Sequence, residues 1–324
     1  MKELLGLLKQ GNKPALMACI MNAVIAIIKA IAFFITGNVA MFAETMHSIG
    51  DTANQFFVFI GSALSKKSPT NRFPNGFARL VNLVLLGAVI IVGILAYETI
   101  REGIHHITEP PAAGSWFWLN IAVLGIAAIL EAIVLNKAMK QVLVDIGKEQ
   151  VKGINVVMVS LKNIKGAKPA TKLVFLEDMV ATLGAIIAIV SIVIATYTTF
   201  HAAEGYASIL IGLMLFYVVA RIFLDNAAGV LGVADEQMEE KIGKFVFEEK
   251  HVKDIQKLMV MKEGEELHVE LKVEFDPDMS IAKASDVLEG IERKILNERG
   301  VTEVIIESDK DDEILSWQGT EEEN

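Results

Sequence analysis

Glu44-Thr45-Met46-His47-Ser48-Ile49-Gly50-Asp51-Thr52-Ala53-Asn54-Gln55 lies inside a run that is otherwise apolar from Val39 to Leu64. At ~1.5 Å of rise per residue, a helix of that length crosses the hydrocarbon of a bilayer. Glu44, His47 and Asp51 are three and four residues apart, which sets all three on one face of the helix. Asp51 falls near the middle of the run, where an isolated charge costs at least ~2.5–3.5 kcal/mol. Three ionisable groups on one stripe at that depth require a partner. A cation is the simplest, because imidazole nitrogen and carboxylate oxygen both ligate zinc and its neighbours. The competing reading is a polar helix–helix contact lined by Ser48, Asn54 and Gln55.

Outward from this stretch the pattern repeats. Six apolar runs are long enough to span a membrane: 14–36, 39–64, 78–107, 116–139, 171–200 and 205–231. The connections after the first, third and fifth runs (Gly37-Asn38, Thr108 to Ser115, His201 to Glu204) carry no Lys or Arg. The N-terminus carries Lys2, Lys9 and Lys13, segment 65–77 carries Lys66, Lys67 and Arg72, and segment 140–172 carries seven lysines. The positive-inside rule therefore puts both termini on the cytoplasmic side of a multi-pass protein of the cell membrane. The first run is too long for a signal peptide and lacks a small-residue cleavage pattern, so it reads as the first span.

Charge divides the chain. Residues 232–324 hold 27 acids and 12 bases, whereas residues 1–231 hold 13 and 18. A membrane domain over 1–231 is thus expected to precede an acidic cytoplasmic domain over 232–307 and an acidic, loose tail over 308–324. The acidity argues against a nucleic-acid partner, which needs clustered positive charge. The single cysteine, Cys19, excludes a disulfide framework and a thiolate metal site.

Other buried ionisable groups need explaining. Lys29, deep in the first run, either pairs with an acid on a neighbouring helix or faces a wet cavity. Glu131 in the fourth run is either its partner or a proton carrier. His105 and His106 fall at the outer rim of the third run and read as a solvated interfacial pair, and Trp116 and Trp118 suit the same interface. Residues 145–165 read as a cytoplasmic helix that a break at 166–169 ends. In the fifth run, Glu177 and Asp178 are adjacent and point ~100° apart on a helix, so one is expected to bind metal while the other faces water or a partner.

Beyond Gly232 the period changes. Asp235 to Lys250 reads as an amphipathic helix, Val252 to Met261 and Glu266 to Phe275 as strands, Ser280 to Arg299 as a helix, and Val301 to Glu307 as a third strand. The predicted fold is a six-helix polytopic α-helical membrane protein with a small cytoplasmic α+β domain of order α-β-β-α-β.

Six spans with both ends inside, His47-Ser48-Ile49-Gly50-Asp51 followed by Asn54-Gln55, the loop Pro74-Asn75-Gly76-Phe77-Ala78-Arg79, Tyr97-Glu98 with Gly103-Ile104, Glu131, and Glu177-Asp178 with Gly184 resemble the cation diffusion facilitator family. The likeness covers nearly the whole chain and is greatest to the branch with an acidic Glu-Asp pair in the fifth span. Many members carry a second His-x-x-x-Asp motif there; Asp178 matches its aspartate, but Val174 stands at its histidine position. The resemblance implies His47, Asp51 and Asp178 as metal ligands, with Glu177, Glu44 or water completing the shell. It implies export of a divalent cation, zinc first, by alternating access and driven by protons, with no resident cofactor and no enzymatic activity. Loss of the histidine shifts the shell toward oxygen, which suits manganese, iron or cobalt as alternatives. A transport-inactive metal sensor or assembly partner of the same fold is the other reading. The resemblance also implies a homodimer, and a cytoplasmic metal site that draws on His251 and His268.

Overall fold

The computed structural model describes residues 6–109, 116–153, 155–164, 167, 169–264 and 266–317. Lys2, most of the expected 108–115 loop, part of the 166–169 break and the tail after 317 lie outside these residues. The chain forms two compact units, one from 1–63 with 84–225 and the other from 64–83 with 226–324.

The first unit is helical. Its long elements are α1 (Lys13–Thr36), α2 (Val39–Ser65), α3 (Leu80–Thr108), α4 (Phe117–Asp145), α6 (Pro169–Tyr197) and α7 (Ala203–Leu231), with a short α5 (Asn155–Asn163) before α6. Local chemistry sets the ends. Asn12 caps α1 by accepting from the Ala15 N–H at 3.0 Å, and Gly37 closes it in the left-handed region at φ 63°. Asn38 then accepts from the Met41 N–H at 2.9 Å and opens α2.

Among the described residues, five helices are long and apolar enough to cross a membrane: α1, α3, α4, α7 and the Val174–Tyr197 part of α6. Helix α2 is equally long at 27 residues, but Glu44, His47, Asp51, Asn54 and Gln55 take it out of that class by composition. The expectation of six apolar spans is therefore met by five. Helices α1, α3 and α4 expose Ile27, Phe34, Ile90, Ile94, Ile129 and Ile133, apolar side chains suited to lipid rather than water. Helix α2 instead buries Glu44, His47 and Ser48.

Helices α3 and α7 touch backbone to backbone. A Cβ on Gly103 would lie 2.8 Å from the Gly205 carbonyl oxygen, and one on Gly205 would lie 2.7 Å from that of Gly103. Beside them the Ser208 hydroxyl donates to the Thr99 carbonyl at 2.8 Å. Such close approach gains van der Waals contact where no hydrophobic force separates helix from lipid.

Two sequence expectations change in this unit. The helix over 145–165 is confined to Asn155–Asn163, because Gly147 (φ 69°) and Gly153 (φ 66°) adopt the left-handed conformation that breaks a helix. Its Val156 packs with Val142, Leu143 and Phe175 of α4 and α6. The histidine pair also divides. His105 is exposed, but His106 is buried, 3.8 Å from Glu204 on α7.

The second unit holds a four-stranded sheet in the order β1 (Val233–Ala234), β2 (Val252–Glu263), β3 (Glu266–Phe275), β4 (Val301–Lys310), with α8 (Glu236–Phe247) and α9 (Ile281–Leu296). Strands β1, β2 and β3 pair antiparallel and β3 pairs parallel with β4, for which α9 supplies the crossover. Leu267, Val269, Leu271 and Val273 alternate into the core as period two requires and meet Ile242 of α8 and Ile291 of α9. The two-residue β1 went unread because it is too short to show an alternation.

The segment between α2 and α3 belongs to this unit. Arg79 pairs with Glu263, Lys66 lies 3.5 Å from Glu266, and Gly264 at φ 68° turns the β2–β3 hairpin against Ala78. A Cβ on Gly264 would sit 2.3 Å from the Ala78 carbonyl oxygen, so both conformation and space demand glycine. The acidic tail is not loose over its described part. Strand β4 runs on to Lys310, Asp311 donates its N–H to the Phe275 carbonyl at 2.8 Å, and the Ser316 and Trp317 N–H groups both donate to Asp254. Trp317 lies on Gly243 of α8, where only a glycine leaves room for the indole.

Candidate metal centre

Helix α2 turns Ser48, Asp51 and Gln55 into a cavity of about 340 Å³ inside the membrane unit. Their spacing of three and four residues makes them one stripe. Helix α6 presents Val174, Glu177, Asp178 and Ala181 to the same space, α1 adds Asn22, and α4 adds Glu131. Four carboxylates thus line the cavity, and none of its described lining residues is Lys or Arg.

His47 stands behind Asp51. Its Nε2 lies 3.5 Å from Asp51 Oδ2, the residue is 3% exposed, and neither ring nitrogen has a hydrogen-bond partner. Asp178 Oδ2 is likewise buried and unpartnered. Buried polar atoms normally find partners, so these unsatisfied nitrogen and oxygen atoms on α2 and α6 are candidates to hold a ligand. Among the described residues, the groups around this space do not close on it: they do not bring three ligand atoms within 4.8 Å of one another.

The adjacent acids both reach the cavity, but in different states. Glu177 Oε1 accepts from Asn54 Nδ2 at 3.3 Å, which ties it to α2, whereas Asp178 keeps an oxygen free. Val174, one turn before Asp178, lines the cavity with an aliphatic surface and is 49% exposed. Thr52 and Thr45 are out of play, since each hydroxyl donates to the carbonyl four residues back.

Glu44 is placed differently from the other candidates. Lys29 Nζ lies 2.8 Å from Glu44 Oε2 and 3.1 Å from Glu131 Oε1. Glu44 and Lys29 are each 0% exposed, and Glu44 does not line the cavity. Its carboxylate already has a cation. Glu131 bridges the two environments, with one oxygen on Lys29 and the other buried without a partner. Of the two readings for Lys29, pairing is the one observed.

His251 and His268 do not share a site. His251 precedes β2 where Val252 pairs with Phe275, while His268 pairs with Met261 near the other end of the ladder, and the ~3.3 Å rise of each intervening residue keeps them apart. His268 is held by Glu303 at 3.1 Å and lies 3.7 Å from Glu270. His251 lines a shallow pocket of mixed charge with Lys250, Lys253 and Lys283 and with Asp276 and Asp278.

Residues 15–230 match the model of the cation efflux transmembrane domain, and residues 234–311 match that of the cation efflux protein cytoplasmic domain. The chain belongs to the cation efflux family. The cation diffusion facilitator resemblance of the sequence is thereby established at the level of the family. Among cation efflux relatives, the proton-coupled zinc antiporter SLC30A9, mitochondrial, of Mus musculus is 26% identical over 239 residues, 72% of this chain and 40% of that protein. The zinc transporter ZitB of Escherichia coli is 25% identical over 78% of this chain and 75% of its own length. An uncharacterized transporter of Methanocaldococcus jannaschii is 20% identical over 89% of this chain and 94% of its length. The chain spans about two-fifths of the length of the antiporter it matches.

Proposed function

We propose that this chain exports a divalent metal cation, zinc first, from the cytoplasm in exchange for protons. The observation that carries the reading is the cavity shared by Asp51 of α2 and Asp178 of α6, with His47 3.5 Å behind Asp51 and its nitrogens unsatisfied. A cavity lined by carboxylates attracts and desolvates a cation, and one imidazole with two or three carboxylates is a competent zinc shell. The names of the antiporter and of ZitB support zinc for those proteins and make it the first candidate here.

Helix α2 is proposed as the sixth span. Of its ionisable stripe, Glu44 and His47 are buried in protein and Asp51 lines the cavity, which is how charged groups persist at membrane depth. Both termini are proposed to be cytoplasmic on the lysine distribution, and the cytoplasmic units are proposed to meet in a homodimer.

The mechanism follows from the donor chemistry. His47 must be neutral and Asp51 and Asp178 ionised to hold the ion, so loading releases protons and protonation releases the ion. Alternating access presents the cavity to one side of the membrane and then to the other, and draws Asp178, Asp51 and His47 together around the ion in between. Asn54 holds Glu177 in the cavity as a further carboxylate. Val174 favours a second substrate class: without a second imidazole the shell is oxygen-rich, which suits manganese, iron or cobalt.

The test is uptake of zinc, manganese, iron and cobalt into proteoliposomes under an imposed pH gradient. Flux of at least one ion that depends on the gradient and is lost in Asp51→Ala and in Asp178→Ala is the expected result. No flux of any of the four would leave the transport-inactive sensor as the reading.

A further inference from the structure

Three carboxylates gather where the β3–β4 ladder ends. Glu274, the penultimate residue of β3, is 1% exposed, and its Oε2 has no hydrogen-bond partner. It stands between Asp254 of β2 and Asp309 of β4 in the sheet register. Both of those acids are engaged elsewhere, Asp254 with the Ser316 and Trp317 N–H groups and Asp309 with Lys272 Nζ at 2.8 Å. Past β4, the Asp311 N–H holds the chain to Phe275. Glu274, Asp311 and Asp312 thereby each offer one carboxylate oxygen within 4.8 Å of the others. Asp311 and Asp312 each use Oδ1 to accept from a backbone N–H two residues on, at 2.9 Å, and retain a second oxygen.

A buried carboxylate with an unpaired oxygen and acidic neighbours is costly. A divalent cation at the point where the three oxygens converge would remove both penalties.

We propose that Glu274, Asp311 and Asp312 bind a hard divalent cation of the calcium, magnesium or manganese class, at a site separate from the transported ion's cavity. The donor set is oxygen only, with no imidazole or thiolate, which selects hard cations over zinc. Two of the three ligands sit on the segment that leads to Trp317, so the ion braces the tail against the end of β3. Water completes the shell around the exposed Asp312.

The experiment is equilibrium dialysis of the full chain in detergent against calcium, magnesium or manganese, with Asp51→Ala and Asp178→Ala present to silence the cavity. One ion per chain is expected, with a dissociation constant between about 10⁻⁵ and 10⁻³ M. Asp312→Asn and Glu274→Gln are each expected to weaken it roughly tenfold or more. Asp312 is exposed, so its variant folds, and an unchanged far-ultraviolet circular dichroism spectrum verifies this for both. Absence of stoichiometric binding for all three ions, or binding that both substitutions leave intact, overturns the proposal.

Discussion

Lys29 Nζ of α1 lies 2.8 Å from Glu44 Oε2 of α2, and neither residue is exposed at all. This pair separates two kinds of acid in the membrane unit: Glu44, neutralised by a lysine, and Asp51 and Asp178, which are not. Glu131 accepts from Lys29 and also lines the cavity, so the pair reaches the candidate centre through one carboxylate.

Removing one charge of such a pair strands the other. Lys29→Met is expected to destabilise the membrane unit by about 3–5 kcal/mol, because Glu44 stays buried with no cation. Adding Glu44→Gln should recover much of that loss. Thermal unfolding of the single and double variants in detergent checks it, and an additive double variant would show that the two residues do not act as a pair.

The tail contact offers a second test. Asp254 accepts from two backbone N–H groups, and hydrogen bonds to a charged group are each worth roughly 1.5–3 kcal/mol. Asp254→Ala should release residues 311–317 and shift Trp317 emission toward that of solvated indole. Gly243→Ala should do the same from the other side, since its Cβ would sit 2.0 Å from Trp317 Cζ2. The emission is read in a Trp116→Phe, Trp118→Phe background; unchanged emission in both variants would mean the indole is not held there.

Much of this was legible in the chain. The period of the apolar runs gave the long helices, and the stripe at Glu44, His47 and Asp51, read as a cation site, singled out α2; of these three, Asp51 lines the cavity. What separated Glu44 from Asp51 was not legible, because Lys29 is remote in sequence and only packing brings it to one acid rather than the other. Asp254 was equally silent. An acid within a strand reads as solvated until the tail that covers it is seen, and a run of acids after β4 reads as loose until its N–H groups find acceptors. The helix over 145–165 was overextended because Gly147 and Gly153 act through a positive φ that periodicity does not reveal.

Acid should act on the second unit through Asp235, which caps α8 by accepting from the Met238 N–H at 3.1 Å and lies 3.0 Å from Lys262 Nζ. Burial raises its pKa, but the Lys262 and Met238 bonds outweigh that and hold it below the ordinary carboxylate value. A depressed folded-state pKa stabilises fully above the unfolded value of ~3.9 and is lost as pH falls through the folded one. Asp235→Ala should therefore cost about 1 kcal/mol at neutral pH, with a gap to wild type that narrows below about pH 4. Melting of the unit followed by Trp317 emission across that range checks the sign; a gap that widens in acid would contradict it.

In the proposed mechanism Asp51 and Asp178 hold the same ion. Its most direct test is a double-mutant cycle on zinc affinity, measured by equilibrium dialysis of purified wild type, Asp51→Asn, Asp178→Asn and the double variant. Residues that ligate one centre are strongly non-additive. Either single substitution is expected to remove most of the affinity, and the second to add little. Independent, additive losses, or undiminished zinc binding in Asp178→Asn, would contradict it.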